Sequence, residues 1–426
     1  MAATETTMTG GRVALTHRNF RLYLLARSFI VFAVEMQSVA VGWQVYEITR
    51  RALDLGLIGL VQFLPGMMLF LVSGHTADRL DRQKLLATCY SGYALCSGLL
   101  LLITVRGAHS AGPIYAVMAM VGVVRSFNAP AMRALLPQLI PEEHFPNAVA
   151  WSSITFKAVT ILGPALGGFV YAFFRGPSGV YAIAAGSGIF AALELLRIRV
   201  EMKPRPREAF SLETVLVGIR YIWRQKVVLG SISLDLFAVL LGGAVALLPV
   251  YARDILKTGP WGLGLLRCAP AIGAAAMAIL LAYRPLRNRA GATMLWCVAG
   301  FGLFTVIFGL SRSLTLSIAA LVLVGATDMV SVIVRAVFVQ LATPDEMRGR
   351  VNAVDMVFIG ASNELGEFES GITAQWFGTV PAVVLGGIGT LAVTALWTWA
   401  FPELRRADRL VESAREQAEA VTSDKR

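Results

Sequence analysis

Apolar residues fill long unbroken stretches of this chain, and polar residues gather in the short intervals between them. Twelve apolar runs can be counted, at 22–47, 55–75, 85–105, 113–132, 147–174, 178–197, 228–252, 261–283, 291–311, 314–341, 351–375 and 380–401. Each is close to or above the roughly 20 residues that a helix needs to cross a bilayer. The runs are rich in Gly, Ala, Leu and Val and lack the two-residue alternation of membrane barrel strands, which come in segments of about ten residues. The pattern predicts an all-α integral membrane protein with twelve transmembrane helices. The opening "MAATETTMTG" is polar and lacks the charged-then-apolar order of a cleaved signal, so the first run is expected to direct insertion itself.

Composition agrees with the pattern. The chain is 56% hydrophobic and 15% charged, where a soluble domain carries about 25% charged residues. Lys and Arg then predict the orientation. With a cytoplasmic N-terminus, 26 of the 38 basic residues fall in cytoplasmic segments. Seven fall on the other side (Arg50, Arg51, Arg106, Arg175, Arg253, Lys257 and Arg312), and five lie within runs. Positive charge is retained on the cytoplasmic side, so both termini are expected there. Topology and contact with membrane lipid account for the net charge of +11 without nucleic acid. The four cysteines, Cys89, Cys96, Cys268 and Cys297, lie in apolar runs, and His17, His75, His109 and His144 are scattered. No metal and no other cofactor is expected.

The chain repeats itself. "RALLPQLIPEEHFPNAV" from Arg133 and "RAVFVQLATPDEMRGRVNAV" from Arg335 share Arg-Ala, Gln-Leu, Pro followed by two acids, and Asn-Ala-Val. The offset runs from 202 to 205 residues, and Pro65 and Pro270 repeat at 205. Residues 1–200 and 227–405 therefore read as two pseudo-symmetric six-helix halves. Between them, 201–226 reads as a cytoplasmic linker. Ser211 stands where a helix cap would, and Leu212, Leu216, Ile219 and Ile222 fall near one helical face, with Arg220 and Arg224 available to lipid phosphate. Residues 406–426 form a charged cytoplasmic tail. Two halves with a long linker suggest alternating access, with a site near the bilayer midplane.

Two motifs name a family. In "GHTADRLDRQKLL", Gly74 permits close helix approach, Asp78 can accept from a helix N-terminus or a cation, and Arg79, Arg82 and Lys84 supply cations for a gate. An ordinary basic loop is the plainer reading. The stretch resembles the loop 2–3 signature of the major facilitator superfamily, with Asp81 where that pattern has a second glycine. In the second half "AYRPLRNRAG" keeps the basic residues and no acid. "ILGPALGGFVY", with Gly163, Pro164, Gly167 and Gly168, resembles the fifth-helix motif of the family's antiporters, although earlier glycines of that motif are absent. A Gly/Pro packing helix is the plainer alternative. "NAPAMRALLPQLIPEEHFPNAV" followed by "GPALGG" is similar to the branch of exporters that move enterobactin and to macrolide-efflux relatives, over about residues 18–402. The resemblance implies the major facilitator fold and a secondary transporter in a bacterial inner membrane.

Charges inside runs need partners or roles, since each costs roughly 2.5–3.5 kcal/mol at the bilayer centre. The basic ones are Arg27, Arg125, Lys157, Arg267 and Arg335; the acids are Glu35, Asp235, Asp328, Asp355, Glu364, Glu367 and Glu369. Arg125 resembles a fourth-helix arginine linked to proton coupling in the family. The repeat offset sets Asp328 opposite it, to pair directly or through substrate. Glu35 is a candidate proton carrier, and Gln37 and Gln44 lie on other faces of its helix. Glu364 and Glu367, three apart, share one helical face. Glu369 lies about 140° round and shares a side with Asp355. One acidic face is expected to line the substrate path and share a proton, the other to meet Arg125, Lys157, Arg267 or Arg335. Gly366 and Gly371 are expected to let the helix bend. Structural ion pairing is the alternative throughout. Trp43, Trp151, Phe127 and Phe156 offer faces for a planar substrate.

The expectation is a monomeric, proton-coupled exporter of an amphipathic small molecule, of the siderophore or drug-like class. An importer or a lysolipid transporter on the same fold is the alternative. An enzyme is not expected: GxSxG, HExxH, a Cys-His pair and GxGxxG are all absent, and "GLGLLR" is only a helical glycine pair.

Overall fold

The structure is a computed structural model and describes residues 11–107, 109–199, 212–284, 286 and 289–407. Helices make up almost all of it. In chain order they are α1 (Arg18–Thr49), α2 (Ala52–Met68), α3 (Phe70–Arg79), α4 (Arg82–Val105), α5 (Gly112–Leu135), α6 (Phe145–Phe173), α7 (Ser178–Leu196) and α8 (Leu212–Arg224). There follow α9 (Lys226–Leu241), α10 (Leu248–Val250), α11 (Gly259–Tyr283), α12 (Ala290–Leu310), α13 (Leu314–Ala342), α14 (Asp345–Phe377), α15 (Thr379–Ala400) and α16 (Pro402–Arg405).

Among the described residues, ten helical segments are long and apolar enough to cross a membrane. Two more complete the twelve. One is α2 continued by α3; α2 alone is a shorter apolar helix, and the break at Leu69 falls four residues after Pro65. The other is α14, 33 residues long, whose acids and bases lower its hydropathy. The seventh span is also interrupted. It runs as α9 to Leu241, opens at Gly242 and Gly243, and resumes through a 3-10 turn, α10 and a π turn to Ile255.

The helices fall into two compact units. Residues 1–41 and 64–209 form one, and residues 42–63 and 210–426 form the other. The last quarter of α1, residues 42–49, and the first part of α2 thus belong with the second unit. Tyr46 of α1 donates to Asp254 there. Glu47 pairs with Arg253 at 3.4 Å, and the Arg253 guanidinium lies over the Trp43 ring.

In the first unit α4 is tied to the end of α7. The Gln83 amide donates to the carbonyls of Leu195 and Ile198, each at 2.7 Å. The residues before α1 strap onto the start of α6. Ala14 N–H donates to Asn147 Oδ1, while Asn147 Nδ2 and Trp151 Nε1 both donate to the Gly11 carbonyl. His17 Nε2 and His144 Nδ1 share a hydrogen bond of 3.0 Å. Asn147 opens the repeated Asn-Ala-Val; its counterpart Asn352 is exposed.

Candidate functional site

The acids of α14 meet small residues of α2. A Cβ added at Gly59 would lie 2.8 Å from Glu367 Oε2 and 3.1 Å from Glu364 Oε2. The two carboxylates therefore share a face and reach the same point on the neighbouring helix. A Cβ at Gly56 would meet the Glu367 carbonyl at 2.8 Å, and one at Gly371 would meet Gly56 Cα at 3.1 Å. Between the two glutamates, Gly366 sits against the break in the seventh span: a Cβ at Gly243 would lie 2.5 Å from the Gly366 carbonyl, and one at Gly366 2.9 Å from the carbonyls of Val239 and Leu240. The carboxyl end of α9 thus lies beside the Glu364–Glu367 segment. Helix carboxyl ends favour positive charge, and interrupted helices are a recurrent way of building ion sites in transporters.

The helix α14 is continuous from Asp345 to Phe377, and both glycines serve close packing, one against α9 and one against α2. A missing Cβ lets backbones approach.

The second acidic side of α14 splits. Glu369 accepts from Thr373 Oγ1 at 2.7 Å. Asp355 lies 3.6 Å from Arg335, which also donates to Asp235 at 2.6 Å. Ser331 adds a hydroxyl bond to Asp235. The Arg335 and Asp235 side chains are 5% and 6% exposed, so this triad is withdrawn from solvent. Asp328 lines a small cavity beside it with Asp235, Thr327 and Ser331. Arg335 was one of the four cations expected to meet an acidic face of α14, and Asp355, on the Glu369 side, meets it; Asp235 was named only as a charge needing a partner. The available signal was their separation: Arg335 and Asp355 lie 20 residues apart, on consecutive runs.

In the first unit two predicted features meet. A Cβ at Gly163 would fall 2.5 Å from the Cβ of half-buried Glu35, and one at Gly167 would fall 2.9 Å from Met36 Cα. Pro164 and Gly168 are buried on the same helix. The glycine stripe of α6 thus seats the α1 turn that carries Glu35. Gln37 is buried and accepts from the Ser97 hydroxyl of α4 at 2.6 Å. Arg125 is exposed on α5.

At Gly74 an added Cβ would meet nothing within 4 Å among the described residues. The Asp78 side chain lies outside the described residues; Arg79 and Lys84 are exposed and Arg82 is half-buried. Asp81 has a clear role. Its Oδ1 caps α4 by accepting from the N–H groups of Gln83 and Lys84. The aromatic residues named for substrate stacking have other contacts: Trp43 under Arg253, Trp151 on Gly11, and Phe156 under Arg27.

Twelve helical spans, with the family-like motifs of the sequence, fit a major facilitator transporter. The comparisons agree. Residues 9–424 match the family described as transmembrane secretion effector, and the chain belongs to it. It is 28% identical over 400 residues to the enterobactin exporter EntS of Shigella boydii serotype 4, covering 92% of this chain and 94% of that one. The EntS of Escherichia coli O1:K1 matches equally. The fold is similar to an inward-facing bacterial homolog of the human lysosomal transporter Spinster, with TM-score 0.69, 14% identity and coverage of 93% and 98%. It is also similar to a POT family transporter solved with 5-aminolevulinic acid, with TM-score 0.72, 10% identity and coverage of 91% and 96%.

Proposed function

We propose that this transporter is a proton-coupled exporter of an amphipathic small molecule of the siderophore class, working by alternating access in a bacterial inner membrane with both termini cytoplasmic. The two repeats, residues 1–200 and 227–405, act as its moving halves. The observation that carries the coupling is the convergence of Glu364 and Glu367 beside the break in the seventh span. Two carboxylates that reach one point on a neighbouring helix offer adjacent acceptors for a coupling proton. The cargo class rests on the similarity to EntS along nearly the whole chain. Glu35, seated against Gly163, is a second carrier, and Arg125 and Asp328 are charged partners along the path. The loop residues Gly74, Asp78, Arg79, Arg82 and Lys84 gate the inner side.

The test is proton movement in energised inside-out vesicles followed with a pH-sensitive dye. Catecholate siderophores, macrolides and lysolipids are added in turn. The siderophore is expected to draw protons in the wild type and to lose that response in Glu364→Gln, Glu367→Gln or Glu35→Gln. A response to lysolipid alone would reassign the cargo, and silence with every compound from correctly inserted protein would end the proton-coupled reading.

A further inference from the structure

The short helix α8 shows one face to the protein and another to its surroundings. The inner face is well held. A Cβ at Gly218 would meet the Arg350 carbonyl at 2.9 Å and Val354 at 3.0 Å. Ile222 is buried in a cluster with Val228, Ile232, Val339, Val351 and Val354. The Tyr221 hydroxyl donates to the carbonyl of Ala342. The side chains of Leu212 and Leu216, expected on this face, lie outside the described residues, as does Ser211.

Helical spacing sets the opposite face. At about 100° per residue, Arg220, Trp223 and Arg224 fall within one arc, turned away from Gly218 and Ile222. All three are exposed, Trp223 to 70%. Exposed Lys226 follows at the start of α9 and pairs with Glu403 of α16 at 3.5 Å. That contact brings α16, with exposed Arg405 and Arg406, to the same end of the unit. Five cations face one paired acid there.

Water alone does not account for this combination. An arginine face is satisfied by solvent, but a large indole left mostly open beside it is not. Trp settles at the headgroup level of a bilayer, with its ring on apolar matter and its N–H toward polar groups. Arginine presents a planar fork to phosphate oxygens, and two on one helical face bind phosphodiesters side by side. We propose that the Arg220–Trp223–Arg224 face of α8 is a binding site for the headgroup of an anionic phospholipid of the membrane that the chain spans. Lys226, Arg405 and Arg406 extend the positive field around it. This site does not depend on what the transporter carries.

The experiment uses full-length protein in nanodiscs of mixed phosphatidylcholine and phosphatidylglycerol. Native mass spectrometry counts the lipids that stay bound on release. The wild type is expected to retain phosphatidylglycerol preferentially. Arg220→Gln/Arg224→Gln is expected to weaken that retention roughly thirtyfold, from about fivefold per arginine. Trp223→Ser is expected to reduce it further, and Arg220→Lys/Arg224→Lys to restore part of it. Gln keeps the helix propensity of Arg, and equal melting temperatures identify folded variants. Preference for phosphatidylglycerol that falls as salt rises supports the site in the wild type alone. The proposal is overturned if the wild type shows no headgroup preference, if the Gln variant retains as much lipid as the wild type, or if inorganic phosphate displaces the lipid at equal concentration.

Discussion

Single residues carry the sharpest expectations. Asp81 stands where the family signature has glycine, and it caps α4 through two backbone N–H groups. Asp81→Ala is expected to cost about 1 kcal/mol, and Asp81→Ser much less. Thermal unfolding in detergent, followed with a thiol-reactive dye on buried Cys89, Cys96 and Cys268, measures both. The same assay tests the Arg335 triad. Asp235→Ala leaves a buried guanidinium with only the longer contact to Asp355, and breaking such a pair costs roughly 3–5 kcal/mol. Asp235→Asn/Arg335→Gln would strand Asp355, which also pairs with Arg335. The triple variant Asp235→Asn/Arg335→Gln/Asp355→Asn is the one expected to recover much of the loss, because no charge is then left uncompensated. The cost of an intramembrane charge made these residues visible in the sequence. Periodicity on one helix cannot say which cation on another run answers which acid, so the pairing was not legible. The repeat misleads here as well: Arg133 matches Arg335 in the alignment of halves, yet it is exposed while Arg335 is buried.

At the scale of elements, glycines divide into those that touch a neighbour and those that do not. Gly163→Ala and Gly167→Ala are expected to push α6 off the α1 turn at Glu35 and Met36, costing about 1–3 kcal/mol each. Gly74→Ala meets no described residue within 4 Å and is expected to leave unfolding unchanged or slightly later, since alanine favours the helix. A Gly74→Ala protein that unfolds as early as Gly163→Ala would contradict that division. Sequence pattern located nearly every helix, because twenty apolar residues in a row leave the backbone few alternatives in lipid. It did not mark the breaks at Leu69 and at Gly242–Gly243, which lie inside uniformly apolar runs. Nor did it mark which glycines pack against a neighbouring helix. That distinction depends on the helix across the contact, and Gly366 and Gly371 turned out to touch α9 and α2.

For the whole molecule, the class of protein was legible early, since composition, run count and motif all bear on it. The convergence of Glu364 and Glu367 on Gly59 joins residues some 300 positions apart, and no local pattern encodes it. If Glu367 carries the coupling proton, Glu367→Gln changes more than rate. Substrate-driven proton movement in inside-out vesicles is expected to fall at least tenfold, while substrate binding measured without a gradient persists. Loss of both together would mark Glu367 as a substrate ligand instead. The strap across α6 has a consequence of a different kind. Its bond from Ala14 to Asn147 spans 133 positions of chain. Synthesis at roughly 5–20 residues per second leaves an interval on the order of ten seconds before the partner leaves the ribosome. During that time the first segment is an unfastened end, open to whatever factor meets nascent chains. Appendages fused close before Gly11 are therefore expected to act during biogenesis, lowering the yield of inserted protein without altering the properties of molecules that complete the strap.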